Sequence, residues 1–368
     1  MTTRRARALT AAGALLWLGA ATSRLVGAGA SPAGVPGTPP QLLSQTGLYA
    51  DAASLTVDAR NRPFAPQYPL WSDGATKRRW VRVPEGALID TTRVDHWDFP
   101  VGTRFWKEFA FGGRRVETRL LWKTAADHWE FASYTWSADQ RDAVLAPAEG
   151  AAGAAELAPG KWHNVPSHDE CRACHDSGRT EVLGFSALQL STDRDPLAPH
   201  AEPLDAGMVT LRTLVDEQAL RPARTELLAT PPRVVAADPR ERAALGYLST
   251  NCGSCHNRQS SIASLGLFLK YTLEAADRCA PDAVATTVGN PGHWVVPTAL
   301  EGTSRVVEPG RPDLSSLVHR AKSRRPSSQM PPIGTVLQDG AAVTLLTAWV
   351  QQRGTAGTGS CATPPATH

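Results

Sequence analysis

The same five-residue pattern, Cys-x-x-Cys-His, occurs twice in this chain of 368 residues. The first copy is CRACH at residues 171–175 and the second is CGSCH at residues 252–256, so the copies begin 81 positions apart. Two cysteines followed by a histidine suit few kinds of site: a zinc site, a redox-active thiol pair, a disulfide, or an attachment point for a larger group. Each needs a different compartment and different neighbours, so the rest of the sequence must discriminate among them.

The N-terminus has the layout of a secretory signal peptide over residues 1–30. Arg4 and Arg5 precede the apolar stretch Ala8–Ala21, and small residues follow at 28–30. The apolar stretch is shorter than the about 20 residues that a membrane span needs. An uncleaved anchor and a twin-arginine signal are the alternatives. We therefore predict that the mature protein is exported, and is periplasmic or secreted.

The positive charge of the chain belongs to this N-terminal stretch. The whole chain has 38 lysines and arginines against 35 acidic residues, a formal net charge of +3. Residues 1–30 hold four arginines and no acid, so their removal leaves 34 basic against 35 acidic residues, or about −1. This balance predicts no nucleic-acid partner and no anionic-membrane surface. No later apolar run is long enough to span a bilayer, so no membrane span is predicted after cleavage.

Zinc and thiol-redox chemistry fit the spacing of the cysteines poorly. The cysteine pairs of zinc ribbons usually lie about 15–20 residues apart, whereas 77 residues separate Cys174 from Cys252. A thioredoxin-like pair is expected beside a βαβ pattern. Neither motif has one, and redox thiols give no reason for the histidine to recur.

Covalent attachment of haem accounts for every fixed position of the motif. Two cysteines three apart reach both vinyl groups on one edge of a porphyrin, and the histidine that follows can bind the iron. The two middle residues are unconstrained in this chemistry, and they differ between the copies. We therefore predict two haem c groups, with thioether bonds from Cys171, Cys174, Cys252 and Cys255 and axial iron bonds from His175 and His256.

The second axial ligand for the iron at His256 is predicted to be Met330. This methionine lies in the segment SSQMPPIG, where two prolines oppose a helix and Gly334 allows a turn. A lone methionine is often a core residue, but a proline-rich loop before a closing helix favours a ligand. Histidine–methionine ligation raises the potential of the iron, which suits an electron carrier.

The segments around the second motif are predicted to be helical. Asp238 is an N-cap followed by proline, and the helix that it begins leads directly into Cys252. Asp339 is predicted to cap a closing helix. Gly246 on the first helix and Trp349 on the second suit a close crossing of the two, because glycine lets backbones approach.

The fold class is predicted to be α+β and multidomain, with an antiparallel β-rich N-terminal domain followed by mainly α-helical haem regions. Residues 104–111 and 114–123 are extended runs joined by Gly112-Gly113, which is a hairpin signal. The predicted divisions are 1–30 signal peptide, 31–44 flexible leader, 45–145 β-rich domain, 146–160 linker, 161–228 first haem region, 229–238 linker, 239–354 second haem domain and 355–368 tail.

Residues 238–354 resemble a class I cytochrome c domain, since a helix, NCGSCHN, the MPP loop and a closing helix follow in that order. A long insert at 258–329 departs from that pattern. The wider chain is similar to a family of exported bacterial dihaem cytochromes with a β-rich N-terminal region. The segments that carry this resemblance are YPLWSDGATKRRWVRVPEG (68–86), WDFPVGT (97–103), VETRLLW (116–122), PSHDECRACH (166–175) and LGFSALQL (183–190). It covers nearly all of the mature chain and implies two haems and export.

The sixth ligand of the first iron is left open by the sequence. No MPP loop follows His175, and Met208 is the methionine of this half, where it equally suits a core stripe. His163, His168 and His200 are further candidates, and an open sixth position is another alternative. Cys279 and Cys361 remain outside the motifs, and in an oxidising compartment they are candidates for a disulfide.

Three functions follow from these predictions. The first is electron transfer between unidentified redox partner proteins, with no catalytic residue assigned. The second is a dihaem peroxidase or oxidase in which the first haem has an open position; such peroxidases place their motifs farther apart. The third is that the β-rich domain, with its seven tryptophans between Trp71 and Trp136, binds a substrate or a partner dehydrogenase. Such tryptophans are more often core residues.

Overall fold

A computed structural model of the protein describes residues 37–177, 182–275, 281–299 and 304–354. Twelve β-strands lie in these ranges. They are β1 (Tyr49–Asp51), β2 (Thr56–Val57), β3 (Arg62–Pro63), β4 (Thr76–Arg82), β5 (Ile89–Asp90), β6 (Arg104–Phe111), β7 (Arg114–Ala125), β8 (His128–Trp136), β9 (Ala143–Leu145), β10 (Ala151–Ala158), β11 (Lys161–Val165) and β12 (Leu220–Arg221).

Six of these strands form the main antiparallel sheet, in the order β3-β4-β6-β7-β8-β9. The turn between β6 and β7 is Gly112-Gly113, and both residues have positive φ, 56° and 79°. Glycine adopts this left-handed conformation at little cost, which lets the two strands pair directly. The predicted hairpin and the antiparallel β-rich N-terminal region are confirmed.

The two faces of the main sheet pack against different parts of the chain. One face packs Trp106 against Leu43 near the start of the described residues. The other face, which we call the inner face, packs Phe105 and Phe131 against Phe185. Of the seven tryptophans in this region five are less than a tenth exposed, so the prediction that most of them are core residues is confirmed.

Seven α-helices lie in the described ranges. They are α1 (His168–His175), α2 (Leu211–Asp216), α3 (Glu226–Ala229), α4 (Pro239–Asn251), α5 (Asp282–Thr287), α6 (Ser316–Lys322) and α7 (Gly340–Arg353). The predicted caps are confirmed, because Asp238 accepts hydrogen bonds from the N–H groups of Arg240 and Glu241, and Asp339 accepts one from Ala342. Such bonds satisfy N–H groups that have no partner inside the helix.

Residues 146–160, predicted as a linker, instead contain strand β10, which pairs with β11 in a two-stranded sheet. The strand was not predicted because its residues are mostly small and show no alternation of polar and apolar side chains. Backbone hydrogen bonds hold the pair of strands together, and these do not require large side chains. Gly160 turns between the strands with φ 71°. The first motif therefore follows a hairpin, and its helix α1 begins three residues after β11 ends.

A separate hydrophobic core forms where α4 and α7 pack together. It also includes residues from distant segments, among them Tyr68, Leu188 and Val318. The described residues from Gly37 onward belong to one compact unit. Within the ranges given above, no helix has the length and apolar character needed to cross a membrane.

Candidate functional site

The first Cys-x-x-Cys-His motif lies on α1. Ser167 caps this helix: its Oγ accepts a hydrogen bond from the Glu170 N–H at 3.1 Å, and the Glu170 carboxylate accepts one from the Ser167 N–H at 2.9 Å. This reciprocal pair fixes the start of the helix. Residues three and four apart share a helix face, so Cys171, Cys174 and His175 project to the same side.

That side of α1 faces the inner face of the main sheet. The rings of His175 and Phe131, on β8, have centroids 5.0 Å apart. Cys171 packs against the same core, and its thiol is within hydrogen-bonding reach of Ser133, two residues along β8. Burial raises the pKa of the Cys171 thiol, so the group stays protonated at neutral pH. The motif therefore rests on one strand of the sheet.

The second motif begins where α4 ends. The Cys252 N–H donates to the Leu248 carbonyl at 3.0 Å as the last helical bond, and the His256 N–H donates to the Cys252 carbonyl at 2.9 Å. The motif thus forms a compact turn that continues from the helix. Cys252 packs against the core between α4 and α7. Backbone hydrogen bonds therefore order both motifs, but only the first motif lies entirely within a helix.

Gly253, the first middle residue of the second motif, is sterically constrained, which the sequence chemistry did not indicate. A Cβ at this position would lie 2.4 Å from the Ser249 carbonyl oxygen and 2.7 Å from the Lys270 Cα. The backbone of Lys270 therefore passes directly against the motif. The equivalent residue of the first motif, Arg172, is more than half exposed and lies 3.7 Å from Asp176. The middle residues are free to vary chemically, but the fold restricts one of them.

His256 has a buried ring nitrogen that lacks a partner. Its Nδ1 makes no hydrogen bond within the part of the chain that the structure describes. Burial lowers the pKa of His256, and the positive charge of Arg320 lowers it further, so the ring is neutral at pH 7. A neutral imidazole is the form that binds a metal ion. Buried unpaired polar atoms are rare and call for a missing partner, so a group bound by this imidazole fits the site.

The loop of Met330 is linked to His256 through Arg320. Its N–H donates to the carbonyl of Arg320 at 3.0 Å, and Arg320 is the residue whose charge acts on His256. The loop is held from the other side by Asp73, whose carboxylate accepts hydrogen bonds from the N–H groups of Val336 and Leu337 at 2.8 to 3.1 Å. Met330 itself is half-buried. Asp73 is a positioning residue that the sequence alone did not identify.

Tyr68 and Trp71, just before Asp73 in the sequence, both contact helix α4. Tyr68 is 2% exposed, and its hydroxyl donates to Asp195 at 2.9 Å. A Cβ on Gly246 would lie 2.1 Å from the ring of Tyr68. The ring of Tyr68 therefore approaches this glycine closely, and α4 and α7 pack together as predicted. Trp71 adds a second tie, since its N–H donates to the Asn251 side chain at 2.7 Å.

The two motifs contact each other, although they are far apart in sequence. The Cys255 Sγ lies 3.8 Å from the carbonyl oxygen of Ala173, inside the first motif. The Ser177 hydroxyl donates to the Ser254 carbonyl at 2.5 Å, and the Asn257 side chain donates to the Ser177 carbonyl at 3.0 Å.

The thiol pair at this contact is polarised. The Cys174 thiol lowers the pKa of Cys255 by donating to it, and Cys255 raises the pKa of Cys174 in return. Each motif therefore supplies one sulfur to a shared contact, which brings the predicted attachment points together.

Met208 lies beside a different strand of the main sheet from the strand that the first motif contacts. The next residue, Val209, donates to the Pro63 carbonyl at 2.7 Å, which places Met208 beside the edge strand β3. Strand β8, which carries the contact with His175, is four positions away in the sheet, or roughly 19 Å at about 4.8 Å per strand. The prediction of Met208 as a ligand remains, and this arrangement gives it no support.

The three candidate histidines have different surroundings. His163 is 4% exposed, and its Nε2 lies 3.0 Å from the Glu117 carboxylate on the inner face of the sheet. His200 lies 2.9 Å from both carboxylate oxygens of Asp339. His168 is the exposed first residue of α1. Of the three, His163 lies on the sheet face that the first motif covers. Cys279 and Cys361 lie outside the described residues.

No preformed zinc cluster is found in the described ranges, where no three side chains among His, Cys, Asp and Glu converge on one point. A haem iron needs fewer protein ligands than zinc, because the porphyrin supplies four nitrogens and the protein supplies one or two ligands. No protein-family model, curated protein or solved structure matches this chain. The functional argument therefore rests on the motifs and their geometry.

Proposed function

We propose that the protein is an exported dihaem c-type cytochrome that transfers electrons through two covalently bound haem groups. The observation that supports this most strongly is the contact between the two Cys-x-x-Cys-His motifs, from Ala173 to Cys255. Electron transfer slows steeply with distance, so two redox centres attached to touching motifs exchange electrons readily. Zinc and thiol-redox chemistry could also bring two cysteine pairs together, but they give no reason for a histidine to follow each pair.

The second motif has residues suited to both sides of a haem. Cys252 and Cys255 would form the thioether bonds, and the neutral imidazole of His256, whose Nδ1 has no hydrogen-bond partner among the described residues, would bind the iron. Met330 would supply a further iron ligand, on a loop that Arg320 and Asp73 hold by hydrogen bonds. When bound, a haem supplies an iron that accepts and releases one electron. The role of this chain is to fix the ligands, so that little rearranges when the charge changes.

The first motif supplies Cys171, Cys174 and His175 on one face of α1. Phe131, on the inner face of the sheet, would form an apolar wall beside the bound group, next to charged side chains of the same face such as Arg119. An apolar wall limits access of water, and burial is one of the factors that set the potential of a haem. The chain would take electrons from one redox protein and pass them to another outside the cytoplasm.

The position of Met208 supports a second function, that of a dihaem peroxidase or oxidase. Met208 lies beside β3, whereas His175 contacts Phe131 on β8. An iron with one protein ligand can bind peroxide or another small ligand. Binding of carbon monoxide to the reduced protein distinguishes the two functions, since two fully ligated irons bind none.

Single-motif variants test the proposed function. The wild type and the variants Cys171→Ala/Cys174→Ala and Cys252→Ala/Cys255→Ala are matured in a host that attaches haem c. A pyridine haemochrome assay is expected to give two haems per chain for the wild type and one for each variant. Equal counts in all three proteins, or a wild type with no haem, would refute the proposal.

A further inference from the structure

Three cationic side chains lie opposite one another on the inner face of the main sheet. Arg79 on β4 pairs with Lys107 on β6, which pairs with Arg119 on β7. We call these three residues the cation row. Directly paired residues point to the same face, where like charges destabilise the sheet. A fold that keeps such a row needs negative charge to balance it.

The carboxylates near the cation row balance its ends and not its centre. Arg79 forms an ion pair with Glu202, and Arg119 forms an ion pair with Glu117. Lys107, between them, makes no ion pair within the described residues; its Nζ lies 4.7 Å from the Phe109 ring. Burial lowers the pKa of Lys107 well below its ordinary 10.5, and Arg79 is the largest charged contributor. The centre of the row therefore lacks an anion.

Neighbouring positions on the same face also hold charged and polar groups that lack partners among the described residues. The Lys77 ammonium, two residues from Arg79, donates to the Leu70 carbonyl at 2.7 Å and makes no ion pair among the residues described. Three buried polar atoms on this face also lack hydrogen-bond partners in the described chain: Glu117 Oε2, Arg119 Nε and Thr135 Oγ1. Such atoms are rare in native proteins, and either an ordered water or a bound polar group would satisfy them.

The cation row ends beneath the first motif. Arg119 pairs across the strands with Ser133, the residue within hydrogen-bonding reach of the Cys171 thiol. The charge of Arg119 also interacts with Cys171 and Cys174. A group attached at these cysteines and lying against the inner face would therefore meet the row. A haem carries two carboxylates, its propionates, which matches the two lysines that lack an acidic partner.

We propose that the cation row, together with Lys77, binds the propionate carboxylates of the haem attached at the first motif, with Lys107 as the principal contact. This inference rests on the proposed function. It assigns Lys107 as a positioning residue that also sets the potential of that haem. A nearby positive charge favours the reduced iron, which carries one positive charge fewer than the oxidised iron.

The test is a potentiometric titration of both haems in the mature dihaem protein. Lys107→Met is compared with the charge-conserving Lys107→Arg and with Lys161→Met, a matched change at an exposed lysine on β11. We expect Lys107→Met to lower the ratio of reduced to oxidised first haem at least threefold at a fixed potential, or about 28 mV at 59 mV per tenfold change. Lys107→Arg and Lys161→Met should stay near the wild type, and the second haem should shift less.

Three results would overturn the inference, each in a different way. A first haem whose potential is the same in Lys107→Met and Lys161→Met excludes the contact while the proposed function stands. A wild type without haem at the first motif refutes both. Thermal stabilisation of the mature protein by succinate that depends on Lys107 would show that the row is still free for outside carboxylates.

A second variant guards against failed maturation. If Lys107→Met loses the first haem while Lys107→Arg keeps it, the positive charge is needed for the haem to be held, as proposed. Lys77→Met then provides the titration, because Lys77 is half-buried at the margin of the face. It is expected to lower the same potential by a smaller amount, and an unchanged potential there would count against the proposal.

Discussion

Substitution of Gly253 by alanine tests whether the second motif is packed as the structure shows. The new Cβ would lie 2.4 Å from the Ser249 oxygen, 2.7 Å from the Lys270 Cα and 2.9 Å from its N, all of them backbone atoms. The Lys270 backbone is also tied on both sides, since Leu269 donates to the His256 carbonyl at 2.8 Å and Tyr271 to the Ser249 hydroxyl at 3.0 Å. Relief of the clash therefore requires that at least one of these bonds weaken.

The expected cost follows from those contacts. Overpacking costs about 1–3 kcal/mol, and a weakened hydrogen bond adds about 1 kcal/mol. Replacing glycine by alanine also stabilises the fold by roughly 0.4–1 kcal/mol, because it lowers the conformational entropy of the unfolded chain. The net loss is about 1–4 kcal/mol, or roughly 2–6 °C in melting temperature for a unit of this size. Because the His256 carbonyl takes part, haem attachment at the second motif should also fall.

Urea unfolding of the haem-free chain measures this loss, and Arg172→Ala is the matched control at the equivalent position of the first motif. Arg172 is more than half exposed, so its removal should change the free energy of unfolding by less than about 0.5 kcal/mol. If Gly253→Ala proved as stable as Arg172→Ala, the packing of Lys270 against the motif would be wrong.

Three further predictions follow from other contacts. Gly246→Ala should destabilise the protein by about 1–3 kcal/mol in urea unfolding, through its clash with the ring of Tyr68, and should cost far less in a Tyr68→Ala background; equal costs in both would contradict the contact. Met330→Ala should remove the sulfur-to-iron charge-transfer band and lower the potential of one haem, whereas Met208→Ala should leave both spectra unchanged; the reverse pattern would exchange their roles. In the haem-free chain, Lys107→Met should stabilise the fold by about 1 kcal/mol at pH 7, because it removes a buried charge beside two arginines. Since the folded pKa of Lys107 lies below 10.5, wild-type stability should recover as pH rises towards that value and the difference in urea unfolding should shrink; a gap that widens with pH would be inconsistent.

Much of the local structure follows from the sequence. Asp238 and Asp339 mark helix starts because a short polar side chain before an apolar helix satisfies free N–H groups. Gly112-Gly113 marks the hairpin because only glycine adopts two successive left-handed conformations easily. These signals lie within a few residues of the structure that they specify, so a single sequence is enough to read them.

The tertiary contacts were beyond such reasoning. The meeting of Cys174 and Cys255 depends on how the sheet and α4 are placed relative to each other, and no local pattern encodes that. Asp73 binds a loop more than 260 residues away in sequence. The strand at β10 was missed because its residues are small, and pairing with β11 does not require large ones.

The cation row is an intermediate case. The alternation of β7 assigns Arg119 and Leu121 to one face, and a strand with one solvent-facing side would expose the arginine. Both faces of this sheet are covered, so the same alternation places charge inside. Sequence periodicity alone indicates which residues of a strand share a face, whereas only the structure shows what covers each face.

Peptide mass mapping of the mature protein tests the central claim most directly. The protein is matured in a host that attaches haem c, digested, and analysed for the peptides that contain residues 171–175 and 252–256. The account predicts that each peptide carries the mass of one haem, bound through both of its cysteines. Either pentapeptide recovered without added porphyrin mass, with its thiols free, would contradict the account of two covalent redox centres.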